Sequence, residues 1–335
     1  MKKIICIGSA VRDIFVEMGE TKIVDNSKDI TAKKLMAFEF GAKEYAQGFF
    51  ESVGGSAVNV SAGLTKIGFC AFVFSRVSKN EVGKWIIKRI GRLKIKKNYL
   101  QQTGGRQSQV SVVISDKKNK DHIILRTGDS VEEFDLEKAF EKFKEKADWV
   151  FVASQKKGWQ ANMKRIIEFA KNKKAKIVFN PSGYQIENDS KELIGFLKEI
   201  EIVFINRDEA IELVKKAIGK VKDDENYLLD EIGKFGAKIV VMTDGKKGAF
   251  VKTEKGIIKL KSKKVKKSDT VGAGDAFSSG FLASYIENGD VEKSLAWGIV
   301  GSASVVSKQG STEGLLKKKE LENQSEKLLS KIEKI

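Results

Sequence analysis

The stretch Ile202-Val203-Phe204-Ile205-Asn206-Arg207-Asp208-Glu209-Ala210-Ile211-Glu212-Leu213-Val214-Lys215-Lys216 sets a four-residue apolar run directly against a segment of helical spacing. A strand exposed on one face alternates apolar and polar residues, whereas a strand covered on both faces reads as a continuous apolar run. The same unit recurs on either side. Upstream lie a helical pattern over 136–147, the run 149–153, a helix over 159–172, a strand over 176–180 and a helix over 190–199. Downstream lie a helix over 224–235 and the run 238–242. Short apolar runs separated by helical segments predict an α/β protein, three-layered and doubly wound around a mostly parallel sheet.

Two segments break this rhythm. Residues 14–52 lack helical periodicity and hold β-type stretches around 14–18 and 37–40. Residues 105–126 alternate through Val110, Val112, Ile114, Ile123 and Leu125 about a polar turn at 116–121, which reads as a hairpin. Half-polar strands inserted into an α/β chain predict a small β-sheet projecting as a lid beside the carboxyl ends of the core strands. From Leu315 the tail reads as a Lys/Glu-rich helix. With no internal repeat or low-complexity linker, residues 1–335 read as a single domain carrying the inserted segments 14–52 and 105–126.

Composition excludes several classes. The chain has 335 residues, 41% hydrophobic and 32% charged, with a single proline, so it is neither collagen-like nor proline-rich and disordered. No window approaches the roughly 18 apolar residues of a membrane span. The N-terminal run Ile4–Ile7 stops at Gly8, and Arg12 and Asp13 follow, which reads as a buried strand rather than a leader. Two cysteines, Cys6 and Cys70, are too few for a disulfide framework and fit a reduced cytoplasmic setting. The net charge of +17 invites a nucleic-acid partner, yet only eight of the 62 basic residues are arginines, the residue whose planar donors read bases and fork phosphates. A lysine-rich solvated surface is the expectation, with no nucleic-acid and no membrane partner.

Chemistry concentrates in Asp269-Thr270-Val271-Gly272-Ala273-Gly274-Asp275-Ala276-Phe277, which opens a small-residue helix over about 274–287. Glycines before a helix expose backbone N–H groups at the positive end of its dipole, an anion hole. A carboxylate in the first turn ordinarily caps. Beside an anion hole, Asp275 would repel the ligand unless it serves as a base. A second segment, Ser52-Val53-Gly54-Gly55-Ser56-Ala57-Val58-Asn59-Val60-Ser61-Ala62-Gly63-Leu64, turns from an extended stretch into a close-packed helix. Its paired glycines allow close backbone approach to a ligand, and Asn59 offers both donors and acceptors.

Together these segments resemble, in order and separation, the two signature regions of the ribokinase-type (PfkB) carbohydrate kinases. The resemblance runs from Gly8 to about Gly314. Gly8-Ser9 followed by Asp13 resembles the family's sugar-binding first strand. Asn206-Arg207-Asp208-Glu209 is similar to its Asn-x-x-Glu motif, and Thr243-Asp244-Gly245-Lys246-Lys247-Gly248 to its nucleotide-contacting turn. The resemblance implies a kinase that moves the γ-phosphoryl group of ATP to a hydroxyl of a sugar-like substrate. Asp275 would be the general base, and Gly272, Ala273 and Gly274 the anion hole. Substrate would be held by Asp13, Gly54, Gly55 and Asn59, and nucleotide by Asn206, Thr243, Gly245, Gly248 and Gly274. Magnesium would be bound through water by Glu209. The resemblance further implies a monovalent cation, K⁺, held by Asp269, the Val271 carbonyl and the loop Gly310–Thr312, with Asp269 as a simple turn cap the competing reading. It also implies a homodimer contact through the lid. The Gly-x-x-x-x-Gly-Lys-Ser/Thr loop of P-loop enzymes is absent.

Two departures weaken plain ribose as the acceptor. Val11 stands where family members that bind ribose carry Asn, and Ser154-Gln155-Lys156-Lys157 stands where some relatives direct a carboxylate toward the sugar. A nucleoside kinase and a catalytically silent sugar- or nucleotide-binding regulator are the alternatives. His122, the sole histidine, reads as a turn residue, and one histidine builds neither a zinc site nor a Ser-His-Asp triad. Arg106 and Arg126 read either as surface residues or as a clamp for a substrate phosphate. Asn180-Pro181 ends a strand either as a plain turn or with Asn180 touching metal or nucleotide. Trp149, Trp159 and Trp297 read as packing residues.

Overall fold

The computed structural model describes residues 1–27, 34–104, 108–118, 121–127, 134–265 and 270–335. The chain enters through β1 (Lys3–Ile7) and leaves the core at once for β2 (Val11–Met18), the pair β3 (Lys22–Asp25) and β4 (Lys34–Ala37), and β5 (Gly48–Gly54). It returns through α1 (Ser56–Ile67), β6 (Cys70–Ser78), α2 (Glu81–Arg92) and β7 (Leu100–Thr103), then departs again for the hairpin β8 (Val110–Asp116) and β9 (Asp121–Thr127). A regular βα alternation follows: α3 (Leu136–Lys142), β10 (Trp149–Val152), α4 (Trp159–Lys173), β11 (Lys176–Phe179), α5 (Gly183–Leu197), β12 (Ile202–Asn206), α6 (Arg207–Ile218), α7 (Glu225–Lys234) and β13 (Ile239–Asp244). The chain closes with β14 (Gly248–Thr253), β15 (Gly256–Leu260), α8 (Ala273–Asn288), α9 (Val291–Val306), α10 (Lys318–Leu329) and β16 (Glu333–Lys334).

Ten strands form the large sheet in the order β16-β15-β14-β13-β12-β11-β10-β1-β6-β7. From β13 to β7 neighbouring strands run parallel, while β14, β15 and β16 add an antiparallel edge. Alternate side chains of each strand enter different cores. Ile4 and Cys6 pack with α1, α2, α8, α9 and α10, whereas Ile5 and Ile7 pack with the residues of α3 to α7. This is the predicted three-layer arrangement. The chain leaves β1 toward β6 on one side and later toward β10 on the other, so the winding reverses at β1, where the carboxyl ends of an α/β sheet open a ligand crevice.

The small sheet, ordered β5-β2-β8-β9, is separate from the large one, while among the described residues β3 and β4 pair with each other as a two-stranded sheet. Register assigns its faces. Ser52, Asp13, Ser111 and Arg126 form one cross-strand row, and Phe50, Phe15, Val113 and Ile124 form the next. Asp13, Ser52, Ser111, Phe15 and Val113 are buried, which marks this as the inner face. Ile14, Val16, Phe49, Val112, Ile114, Ile123 and Leu125 lie on the outer face, with Phe49 68% and Leu125 53% exposed.

Helix α8 is enclosed, every residue from Ala276 to Ser284 being buried. Small residues let its neighbours close in. A methyl group on Gly63 of α1 would lie 2.2 Å from Ser279 Oγ, and one on Gly298 of α9 would lie 2.8 Å from the Phe277 ring. The structure also moves some boundaries. Helix α5 begins at Gly183, seven residues before the predicted start, because Ser182 and Gln185 form a capping box there. A non-helical kink at Asp189, whose carboxylate accepts the Trp159 indole N–H at 2.9 Å, hides that first turn from periodicity. Strand β4 ends at Ala37, so Phe38–Phe40 is not strand.

Candidate active site

Gly55 closes the turn between β5 and α1 with φ 92°, and a methyl there would lie 2.4 Å from the Ser9 carbonyl oxygen. Only glycine serves, and the junction seats the first turn of α1 beside the end of β1. One turn along, Asn59 is 4% exposed and donates from Nδ2 to Asp275 Oδ2 at 2.8 Å. Its Oδ1 has no partner among the described residues. A buried unbonded amide oxygen is costly, so Asn59 is held in place at the expense of one of its own hydrogen bonds. Ser56 also bonds Asp275. Burial pushes the Asp275 carboxyl above its ordinary range, opposed by the bonds from Asn59 and Ser56 and by the charge of Arg126. Part of the residue nevertheless remains open to the cleft.

Gly272 precedes α8 in the left-handed region, φ 77°, where a methyl would lie 2.7 Å from Ser311 Cβ. The anion hole differs in one respect from the sequence expectation. The Ala273 N–H is taken by the Thr270 carbonyl at 3.2 Å and the Ala276 N–H by Gly272. The first-turn N–H groups of Gly274 and Asp275 have no partner among the described residues. Gly274 borders open space, with nothing within 4 Å of an added methyl. Of the expected anion hole Gly272, Ala273 and Gly274, the Ala273 N–H is therefore already engaged, and the N–H groups of Gly274 and Asp275 are those left without a partner in the first turn of α8.

Asp13 is buried against Gly54, where a methyl would lie 1.8 Å from its Oδ2. The seryl oxygen of Ser311 borders the same point at 3.3 Å, so Asp13, Gly54, Ser311 and Gly272 form one continuous wall. Ser52 donates to Glu313 Oε1 at 3.1 Å, anchoring β5 to this wall. Register pairs Asn206 with Thr243 at the carboxyl ends of β12 and β13. Asn206 and Glu209 form a reciprocal capping box at the start of α6, Oδ1 accepting the Glu209 N–H at 2.9 Å and Oε2 the Asn206 N–H at 3.0 Å. Arg207 ties this end to the next turn through Asp223 and through Asp244, the latter at 3.4 Å. Gly245 is open to solvent. Gly248 is buried with φ 102°, a methyl falling 2.1 Å from the Leu260 carbonyl, so the β14–β15 pairing already demands glycine there.

Burial pushes Glu209 up to about 7, the Asn206 N–H opposing it and Asp208 and Glu212 adding to it. It forms no ion pair among the described residues. A desolvated carboxylate oxygen without a cation fits hydrated Mg²⁺, which binds through one or two carboxylates plus substrate phosphates. No group of three or more metal-ligating side chains occurs among the described residues. Asp269 and Arg106 lie outside the described residues.

Several contacts were beyond sequence reading. Ser56, Ser311 and Arg126 converge on Asp275 and Gly272 from distant parts of the chain. His122 Nδ1 lies 3.2 Å from Thr270 Oγ1. Asn180 donates to the Phe204 carbonyl at 3.0 Å, which ties adjacent strands together, and Gln155 Oε1 accepts a bond from Asn162 Nδ2 at 3.0 Å. A separate cleft of about 800 Å³ at the amino ends of β12 and β13 is lined by Glu201, Lys234, Lys238 and Lys252. Lys238 pairs there with Glu201, Lys234 with Glu231 and Lys252 with Asp230.

Residues 1–318 match the model of the pfkB family carbohydrate kinases. The chain belongs to that family. It is accordingly a phosphotransferase with an alcohol acceptor. The kinase is 24% identical over 321 residues to the 5-dehydro-2-deoxygluconokinase of Bacillus subtilis, covering 88% of this chain and 94% of that one. Its fold matches ribokinase from Giardia lamblia with TM-score 0.77 and 19% identity, covering 97% and 99% of the two chains. It also matches the Methanocaldococcus jannaschii nucleoside kinase, with TM-score 0.73 and 20% identity, covering 98% and 99%. No helix among the described residues of the kinase is long and apolar enough to cross a membrane.

Proposed function

We propose that this kinase transfers the γ-phosphoryl group of ATP to a hydroxyl of a sugar or sugar-like acceptor, with Asp275 as general base. The observation that carries this reading is the Asn59–Asp275 pair at the start of α8, beside the Gly274 and Asp275 N–H groups, which have no partner among the described residues. Asp13, Gly54, Gly55 and Asn59 bind the acceptor. Asp275 takes the proton of the attacking hydroxyl. The acceptor oxygen bonds to the γ-phosphorus as the bond from phosphorus to the β–γ bridging oxygen breaks, and ADP departs with that electron pair. Gly274 and the Asp275 N–H hold the charge on the transferring group. Asn206, Thr243 and Gly245 meet the nucleotide, Gly248 holding their turn. Bound Mg²⁺ supplies charge neutralisation on the phosphates, and Glu209 holds its water shell.

A coupled ADP-release assay over sugars, sugar phosphates, nucleosides and 5-dehydro-2-deoxygluconate tests the reading and selects the acceptor. No ADP release with any of them refutes it. Glu209→Gln keeps the capping-box geometry, so its melting temperature should shift by no more than the equivalent of about 1 kcal/mol. The Mg²⁺ concentration for half-maximal turnover should rise roughly tenfold or more, reflecting the loss of one charged outer ligand. An unchanged magnesium titration refutes the role.

Residues 1–335 are read as one folding unit, with 14–52 and 105–126 as its inserted lid segments, and the free thiols suit a cytoplasmic setting. K⁺ held by Asp269 is retained as part of the proposal. The outer face of the small sheet is an apolar surface of the kind that pairs two copies, since a small sheet is poorly stable with such a face in water. Light scattering should report a dimer, and Phe49→Lys should shift it to monomer by placing a charge in that face. A monomeric parent at high concentration refutes the contact.

A further inference from the structure

We propose that Arg126 is a further catalytic residue, whose guanidinium holds the transferring phosphoryl group against the first turn of α8. The inference rests on the kinase reading above and adds the groups that face the reacting atoms from the small sheet.

Strand alternation puts His122, Ile124 and Arg126 on one face of β9. Cross-strand pairing with Ser115, Val113 and Ser111, and through them with Glu17, Phe15 and Asp13, makes that face the inner one. The strand runs along the turn that opens α8, because His122 Nδ1 meets Thr270 Oγ1 at 3.2 Å and Arg126 acts electrostatically on Asp275. The opposite edge strand, β5, rests instead on the loop of Ser311 and Glu313. Arg126 therefore lies on the anion-hole side of the cleft, two strands from Asp13.

Its chemistry is unspent. Arg12 pairs with Glu51, Arg165 with Glu137, and Arg207 with Asp223 and Asp244, but Arg126 is exposed and forms no ion pair or hydrogen bond among the described residues. It acts on Asp275 without bonding it, since Asp275 Oδ2 is held by Asn59. A guanidinium bonded directly to Asp275 would occupy the base. One held back from it leaves room for the atoms that react. In the same first turn as Asp275, the Gly274 and Asp275 N–H groups have no partner among the described residues. Two backbone donors on one side and a forked cation on the other match the equatorial oxygens of a phosphoryl group in flight, where charge is greatest.

Arg126→Ala and Arg126→Lys in the full chain test this, the exposed position making either variant safe to fold. The alanine variant should lose at least about a hundredfold in kcat, as for removal of one preorganised donor, with acceptor and ATP KM within a few-fold of parent. Methylguanidinium in solution should restore part of the rate, and the lysine variant should fall between the two. The acid limb of the rate profile should move to higher pH in the alanine variant, because the cation that favours the Asp275 carboxylate is gone. Calorimetry with Mg²⁺ and ADP gives a readout independent of turnover. Fluoroaluminate, a mimic of the transferring group, should tighten ADP binding to the parent and not to Arg126→Ala. Equal behaviour of parent and variant toward fluoroaluminate overturns the proposal. A raised acceptor KM with unchanged kcat also overturns it, making Arg126 an anchor for an anionic acceptor. Failure of the parent to phosphorylate any acceptor refutes the kinase reading instead, and leaves the fluoroaluminate comparison to decide Arg126.

Discussion

Asp275→Asn is expected to keep its fold and lose at least about a hundredfold in kcat. The substitution preserves shape, and its amide oxygen still accepts the bond from Asn59 Nδ2. What disappears is the proton acceptor, and a positioned base contributes roughly 10²–10⁴ in rate. Stability should move in the opposite direction. Burial raises the Asp275 carboxyl above its unfolded value, so the folded state binds its proton more tightly than the unfolded chain does. Such a group favours folding at low pH and opposes it increasingly as pH rises through its folded pKa. Once ionised at alkaline pH, the buried carboxylate is therefore a burden that asparagine removes. The variant should melt at or above the parent there, and the gap should narrow as pH falls. Wild-type turnover would remove Asp275 from the mechanism, and a collapsed melting temperature would make it a structural cap.

The second large effect separates two glycines that stand two residues apart. Gly272→Ala places a methyl 2.7 Å from Ser311 Cβ on a residue held at φ 77°, so backbone and wall must both shift. The left-handed conformation alone costs about 1–2 kcal/mol for a non-glycine residue, and the clash adds to it. Thermal stability and activity should fall together, kcat by at least about a hundredfold as the hole loses its alignment. Gly274→Ala has nothing within 4 Å of its methyl and lies inside the helix, where alanine is favoured by up to about 1 kcal/mol. Its melting temperature should hold or rise. The methyl nevertheless fills space that the phosphoryl oxygens need, so kcat should drop with the fold intact. If Gly274→Ala is fully active, phosphate does not sit over that residue. If Gly272→Ala melts like the parent, the Ser311 contact is not the constraint described.

What could be read from the sequence was what is local. The two glycine turns declare themselves because Gly55 and Gly272 occupy backbone conformations that other residues avoid, and the buried core strands follow from uninterrupted apolar runs such as Ile202–Ile205. The start of α5 was hidden because the kink at Asp189 breaks its periodicity. Faces of the small sheet depend on register between strands about a hundred residues apart, as in Asp13 with Ser111, and no local pattern shows which face turns inward. The same holds for Arg126, whose neighbour Asp275 is remote in sequence, and for the Ala273 N–H, whose loss to Thr270 is a matter of turn geometry. The Asn206–Glu209 spacing is itself a capping signature, so one motif both starts a helix and offers a carboxylate.

The enclosure of α8 has a consequence for how such an enzyme changes its diet. A helix gripped along nine successive residues is a fixed anvil, and Asp275 sits on its tip. In the proposed reading, Asp13 and Gly54 of the acceptor side are instead carried by a thin sheet attached at a few points, whose strands contribute little to the two main cores. Exchanging side chains on that sheet alters which molecule is pressed against the anvil without disturbing the anvil itself. Chemistry and taste are thus stored in separate parts of the chain, and one can drift while the other stands still.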